Sequence, residues 1–333
     1  MNKVSQRGEE MYSEVEMITV AKLYYEMNLT QVQIAEKLNY SRATISRIID
    51  AAFKKGIIKV EINYTLSSVQ KLESKIKEKY NLKKVFVLPV YLQERKLVLN
   101  DVGKAVAAYL DEICENDSIL GISWGTTLSH VVPYLKKKLL PNMKIVQLNG
   151  GVAKSTYSTG SGALLEKLSE AFLAEHYHLP VPSIVDTSII AEAIMTDSSI
   201  KLALKLGEKS NIALFGIGNV SYDSVLYKGG YFKGDTYEDL IEQNAVGDIC
   251  SRFFSITGEL VDQDLNERTI GLELEELRTK EYSIALAAGK EKANSVIGAL
   301  NGGYVNTLFI DEELAKEICL REMSINDESS QII

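Results

Sequence analysis

From about Leu66 onward the chain alternates short apolar runs with longer amphipathic stretches, and this alternation restricts its fold more than any other feature. Lys84–Val90, Ser118–Ser123, Met143–Leu148, Asn211–Ile217, Tyr282–Ala288 and Thr307–Asp311 have the length and composition of buried strands. Between them, Arg95–Cys114, Gly162–His176, Ser198–Leu206, Lys290–Leu300 and Glu312–Cys319 space their apolar residues as helices do. Strands and helices in turn predict an α/β fold, a mostly parallel sheet covered on both faces. Ligands of such sheets sit at the carboxyl ends of the strands, where loops feed helices.

Four of those strand ends are glycine-rich: "SWGTTL" at 123–128, "LNGGVAKSTYSTGSG" at 148–162, "GIGNVS" at 216–221 and "AAGKEKA" at 287–293. One such loop is commonly only a turn, whereas four at successive strand ends predict a shared pocket. The first, with Ser123, Gly125, Thr126 and Thr127, offers small hydroxyl-bearing residues between a strand and a helix, a setting that suits an anion. Two of the others invite over-reading. "GGVAKST" has the Lys-Ser of a P-loop but Ala153 where the adjoining glycine belongs, and "GIGNVS" has Ser221 in place of the third glycine of a dinucleotide fingerprint. No cofactor is expected. Catalytic groups are also sparse: of the three histidines only His130 lies near a candidate loop, and the carboxylates of 248–276 form no acid/base pair by spacing.

At 333 residues the chain has room for a second, smaller domain, and a different pattern fills the N-terminal end. In "LTQVQIAEKLNYSRATISRII", Thr30 and Gln33 make a capping box, and Ile34, Ala35 and Leu38 form one face of a helix. Asn39 suits the left-handed residue that ends it, and Ser41 caps a second helix with Ile45, Ile48 and Ile49 inward. Counted from Gln31, the small, turn-forming and apolar residues stand where a helix-turn-helix needs them. The outer face of the second helix presents Arg42, Ala43, Thr44, Ser46 and Arg47, the residue types that read base edges. Lys54 and Lys55, together with the amides at the Ser41 end of the helix, are expected at the DNA backbone, and Gln31 is a further expected DNA contact. "MITVAKLYYEMN" upstream reads as a supporting helix, and "IIKVEI" after Gly56 as a strand, a wing or a bridge. The expected domains are 1–63 and 64–333, with Tyr64–Gln70 as linker.

Charge agrees with this division. The net charge is −8, yet residues 1–60 hold nine Lys/Arg against seven Asp/Glu, so a positive module sits on an acidic body. Three widely spaced cysteines argue against a disulfide framework or a zinc site and fit a cytoplasmic protein. The polar N-terminus lacks a signal-peptide core, and the longest uncharged run, Ser118–Leu135, is broken by Gly125 and Pro133, so no membrane span is expected.

"LYYEMNLTQVQIAEKLNYSRATISRII", "GISWGTTL", "AVGDICSRFF", "DLNERTIGLELEEL" and "AAGKEKANSVIGALNGGYVNTLFIDEELA", in that order, resemble the SorC family of sugar-responsive bacterial transcriptional regulators, with the strongest likeness to its deoxyribonucleoside regulators of Bacillus type. The resemblance implies a helix-turn-helix followed by an effector domain similar to sugar-phosphate isomerases. It also implies a homo-oligomer, dimer or tetramer, that leaves its operator DNA when a phosphorylated sugar binds, which makes the expected function repression of a carbohydrate or nucleoside operon. The competing reading is an isomerase- or deaminase-like enzyme with an appended DNA-binding segment.

By the same resemblance, Gly125, Thr126 and Thr127 match the family's phosphate-binding loop, with Ser123 at its start. Asp248 matches an acidic residue that holds sugar hydroxyls, and Lys292 a basic residue of the pocket. Lys228 stands near a position where relatives carry Arg, and Thr159 near a polar ligand contact. Asn149 occupies the place of a lysine able to form a Schiff base with deoxyribose 5-phosphate. Asparagine lacks that chemistry, so no covalent aldehyde adduct is expected there.

Overall fold

A computed structural model describes residues 12–59, 69–151, 161–232 and 236–330. The chain divides into two units, 1–64 and 65–333.

In the first unit, α1 (Glu14–Ala21) continues through a π-helical turn, Lys22–Glu26, and is followed by α2 (Gln31–Leu38) and α3 (Arg42–Lys54). The local signals act as their chemistry dictates. Thr30 and Gln33 exchange side-chain and backbone hydrogen bonds at the start of α2, a cap that stabilises a helix by about 1 kcal/mol. Asn39 ends α2 in the left-handed region with φ 55°, and the Ser41 hydroxyl accepts the Thr44 N–H at 3.0 Å to start α3. Met17, Val20, Leu23, Ile34, Ala35, Ile45, Ile48, Ile49 and Ala52 close into one core. Tyr40, in the turn, donates to the Glu16 carboxylate at 2.6 Å and so ties the turn to α1. With the Ser13 cap, this bond lowers the Glu16 carboxyl to about 2.

The strand expected after Gly56 does not form over residues 57–59. Gly56 takes φ +73°, and the Ile57 and Ile58 amides both turn back to the Ala52 carbonyl. That closure of α3 occupies the donors a strand ladder would need. Residues 60–62 of the same segment lie outside the described residues.

The second unit carries β1 (Lys84–Leu88), β2 (Ile119–Ile122), β3 (Lys144–Gln147), β4 (Glu175–Tyr177), β5 (Ile212–Gly216), β6 (Gly218–Asn219), β7 (Ala245–Ile249), β8 (Arg252–Ser255), β9 (Tyr282–Ala287) and β10 (Thr307–Asp311). Seven of these form a wholly parallel sheet in the order β1-β10-β9-β5-β2-β3-β4, and β6-β7-β8 form a small antiparallel sheet. Alternate residues of the central strands feed two cores. Ala213, Phe215, Ala285, Ala287, Leu308 and Ile310 enter one; Ile212, Leu214, Ile284, Leu286 and Phe309 enter the other. Burial on both faces explains why these strands read as unbroken apolar runs.

Three expectations need correction. The helix expected over Gly162–His176 stops at Phe172, because Leu173 turns left-handed (φ 51°) and Ala174 bonds back to Ser169; His176 belongs to β4. Lys290–Lys292 is a 3-10 turn that precedes the helix Ala293–Asn301. The linker ends earlier than Gln70: Val69 is buried in the first core and Gln70 opens the helix Gln70–Tyr80.

Candidate functional site

Strand order determines where a crevice opens. From β2 the chain moves outward through β3 to β4 at one edge; from β5 it moves the other way, to β9 and β10. Connections leaving adjacent β2 and β5 therefore diverge, and their carboxyl ends flank the topological switch point of the sheet. A cleft lies there, lined by 123–128 after β2, Asn149 after β3, 216–219 from β5 to β6, Asp248, Cys250 and Ser251 of the β7–β8 hairpin, and Lys292 after β9. Arg95 and residues 223–226 complete it. Of the residues expected at the effector site, the fold thus brings together Ser123, Gly125, Thr126, Thr127, Asn149, Asp248 and Lys292. Lys228 does not line the cleft; it ends the short helix Val225–Lys228 and pairs with Asp223 at 2.8 Å. Thr159 lies outside the described residues.

The loop after β2 is shaped by Gly125, with φ 147° and ψ 166°. A Cβ there would meet nothing within 4 Å, so conformation and not space requires glycine. This backbone leads into a single helical turn, Thr126–Ser129, with Thr126 exposed and Thr127 half-buried. Trp124 anchors the loop: its indole Nε1 donates to the Gly150 carbonyl at 2.6 Å. His130 bonds through Nδ1 to Asn100 at 2.8 Å and is not part of the cleft lining.

Asn149 is 1% exposed and already engaged. Its Oδ1 accepts from the Ser123 hydroxyl at 2.9 Å, its Nδ2 donates to the Ser251 hydroxyl at 3.2 Å, and its carbonyl accepts from Gln147 at 2.7 Å. It is a hub that binds three walls of the cleft to one another. Asp248 faces Gly218 across the β6–β7 pair, where any Cβ would stand 1.9 Å from its Oδ1. Burial raises the Asp248 carboxyl to about 6, against the opposing pull of Lys292 and the Ser251 N–H. Lys292 donates to the Ile217 carbonyl at 2.7 Å, and burial lowers its pKa while Asp248 resists the change. A carboxylate and an ammonium held in a concave, partly dry site can orient hydroxyls and complement an anion.

Sequence reasoning missed the residue that braces this arrangement. Arg252, 1% exposed, donates to the carbonyls of Leu272, Asn266, Thr269 and Gly271 and pairs with Glu273 at 2.6 Å. It thereby secures segment 266–273, whose Gly271 bridges to Asn149. The signal was one arginine inside the apolar run "ICSRFF", a place where a charge is tolerated only when paired.

On the first unit, Arg42, Ala43 and Arg47 are exposed on α3, Thr44 and Ser46 are half-buried beside them, and Lys54 and Lys55 are exposed at its end. Gln31 is half-buried at the head of α2. The Ser41 and Thr44 hydroxyls lie 2.8 Å apart and bond to each other, which leaves the two arginines as the long polar side chains of this face.

Two family models match the chain: "Putative sugar-binding domain" over residues 64–319 and "Sigma-70, region 4" over residues 19–55. The deoxyribonucleoside regulator of Bacillus subtilis (strain 168) is 36% identical over 301 residues, 90% of this chain and 96% of its own length. The chain belongs to the SorC family of sugar-binding transcriptional regulators. Another relative, the sorbitol operon regulator of Klebsiella pneumoniae, is 32% identical over 309 residues, 90% of this chain and 96% of its length. The crystal structure of that full-length regulator, SorC, matches with a TM-score of 0.74 at 30% identity, over 92% of this chain and 99% of its own. This SorC-family chain is therefore a transcriptional regulator with a helix-turn-helix DNA-binding region and a sugar-binding domain, and not an enzyme. Among the described residues no helix is long and apolar enough to cross a membrane, and no cluster of three or more His, Cys, Asp or Glu could hold a metal ion.

Proposed function

We propose that this regulator represses a carbohydrate or nucleoside catabolic operon and that a phosphorylated sugar, bound in the switch-point cleft, relieves the repression. Residues 1–63 bind operator DNA and 64–333 bind the effector and oligomerise. The observation that carries the reading is the meeting, in one crevice, of the hydroxyl-bearing loop Gly125–Thr127 with Asp248 and Lys292. The loop suits a phosphate, and the half-buried Asp248 carboxylate suits sugar hydroxyls. Asn149 offers no amine, so no Schiff base with the effector forms at that position. Arg42 and Arg47 read bases, while Lys54, Lys55 and the amides near Gln31 and Ser41 contact phosphates.

The protein works in the cytoplasm as a homo-oligomer, dimer or tetramer, whose recognition helices engage two half-sites roughly 34 Å apart. Effector favours an arrangement that breaks this spacing. Each tenfold preference for the released state shifts the balance by about 1.4 kcal/mol. The test is a gel shift on the promoter of the neighbouring genes, titrated with a sugar-phosphate panel, using wild type and the Thr126→Val, Thr127→Val double variant. Wild type should release DNA with one panel member, and the double variant should bind DNA normally yet ignore it. Release of the double variant at the wild-type concentration overturns the loop assignment.

A further inference from the structure

Arg95 opens the helix Arg95–Ile113 and lines two cavities at once. One is the switch-point cleft. The other lies between the loops that follow β1, β9 and β10, with Val90, Gln93, Gly289, Glu291 and Asp311 in its lining. The Arg95 side chain is 66% exposed, and its hydrogen bond among the described residues is a single one, from Nη1 to Glu291 Oε1 at 3.1 Å. A guanidinium has five N–H donors, so most of this fork remains available. Glu291 lies across Gly289, where a Cβ would stand 2.3 Å from Oε1, and it too is half-exposed. Exposed pairs of this kind hold weakly and exchange readily. Lys292, by contrast, already serves the Ile217 carbonyl and faces Asp248.

Spacing adds a second constraint. The loop bearing Thr126 follows β2 and that bearing Glu291 follows β9, with β5 alone between these strands. Two strand spacings separate the loops by about 10 Å at their roots. That is the scale of a five- or six-carbon chain with an anionic group at each end.

We propose that Arg95 is a second anion contact of the cleft, which therefore prefers a phosphorylated sugar bearing another anionic group, a second phosphate or a carboxylate, at the far end of its chain. This inference rests on the cleft being the sugar-phosphate site. On binding, the ligand's second anion replaces Glu291 on the guanidinium in two-pronged geometry, and Glu291 turns toward the adjoining cavity.

Calorimetric titration of the full chain tests this with paired ligands that differ by one anionic group: glucose 6-phosphate with 6-phosphogluconate, fructose 6-phosphate with fructose 1,6-bisphosphate, and ribose 5-phosphate with ribose 1,5-bisphosphate. In at least one pair, wild type should bind the doubly anionic member about tenfold tighter or more. Arg95→Gln should bring the ratio within that pair toward one, and Glu291→Gln should raise it. A ratio unchanged in Arg95→Gln, or a wild type that favours the singly anionic members, overturns the proposal and leaves the sugar-phosphate reading intact. Binding of none of the six by wild type overturns this inference, and the gel-shift panel decides the sugar-phosphate reading separately. Ligand-free melting curves of both variants verify their folding.

Discussion

Replacing Arg252 with methionine tests how the cleft is braced. Methionine keeps much of the side-chain volume but none of the donors. Four backbone carbonyls, those of Leu272, Asn266, Thr269 and Gly271, then lose a partner in a site that is 1% exposed. The Asn266 carbonyl keeps the Thr269 N–H at 3.2 Å; the other three acceptors are stranded at about 1–3 kcal/mol each, a plain sum of about 6 kcal/mol. Relaxation and entry of water reduce this, and removing one partner of a buried pair costs about 3–5 kcal/mol in practice. Glu273 is 55% exposed and rehydrates when it is released, which favours the lower half of that range. For a domain of this size each kcal/mol lowers the melting temperature by about 2–4 °C, so Arg252→Met should melt about 6–15 °C below wild type. Scanning calorimetry at equal protein concentration reads the shift without interference from the oligomer equilibrium. Glu273→Gln, which keeps the buried arginine bonded to its carbonyls, should move the midpoint by much less. A fall under about 2 °C for Arg252→Met would refute the argument, because it would mean that segment 266–273 holds Asn149 in place without the guanidinium.

Two further outcomes follow from the geometry. Arg42→Ala or Arg47→Ala should weaken operator binding by about 1–3 kcal/mol and relax base preference, measured by gel shift on mutated half-sites; unchanged affinity in both variants would move recognition off this face. Asp248 gives a pH dependence whose sign is determined by its raised folded-state value. Between the ordinary 3.8 and about 6, the folded protein keeps a proton that the unfolded chain releases. Its contribution to stability is therefore greatest at the acid end and is lost as pH rises through about 6. Urea melts across that window should show this slope in wild type and not in Asp248→Asn. Effector binding runs oppositely: hydroxyls that donate to the carboxylate need it ionised, so affinity should fall more steeply below about pH 6 in wild type than in Asp248→Asn, whose remaining pH dependence is that of the ligand's own phosphate.

How far the molecule could be foreseen depended on whether each feature carries a local signal. Thr30, Gln33, Asn39 and Ser41 act within four residues of themselves, and α2, α3 and the turn between them were legible for that reason. The same holds for the central strands, where burial on both faces writes an unbroken apolar run. β4 is three residues long and β6 two, too short for any periodicity to register. The β7–β8 hairpin was hidden by its turn. Cys250 and Ser251 both take positive φ, 53° and 69°, in a two-residue connection that usually announces itself as Asn-Gly.

That disagreement between residue type and backbone is itself informative about the site. Side chains with a Cβ resist the left-handed region, and a pair of them persists only where the surroundings over-determine the turn. Here the surroundings are known. Asn149 holds the Ser251 hydroxyl, the next residue, Arg252, is itself bonded to segment 266–273, and Phe253 and Phe254 are buried immediately after. Asn-Gly would satisfy the backbone more cheaply but would remove the hydroxyl that Asn149 grips. The turn therefore retains Ser251 at some conformational cost, and the benefit is a cleft wall locked to β3. Local preference yields to tertiary contact at the carboxyl ends of β2, β3 and β5, the part of the sheet where the strand order leaves room for a ligand.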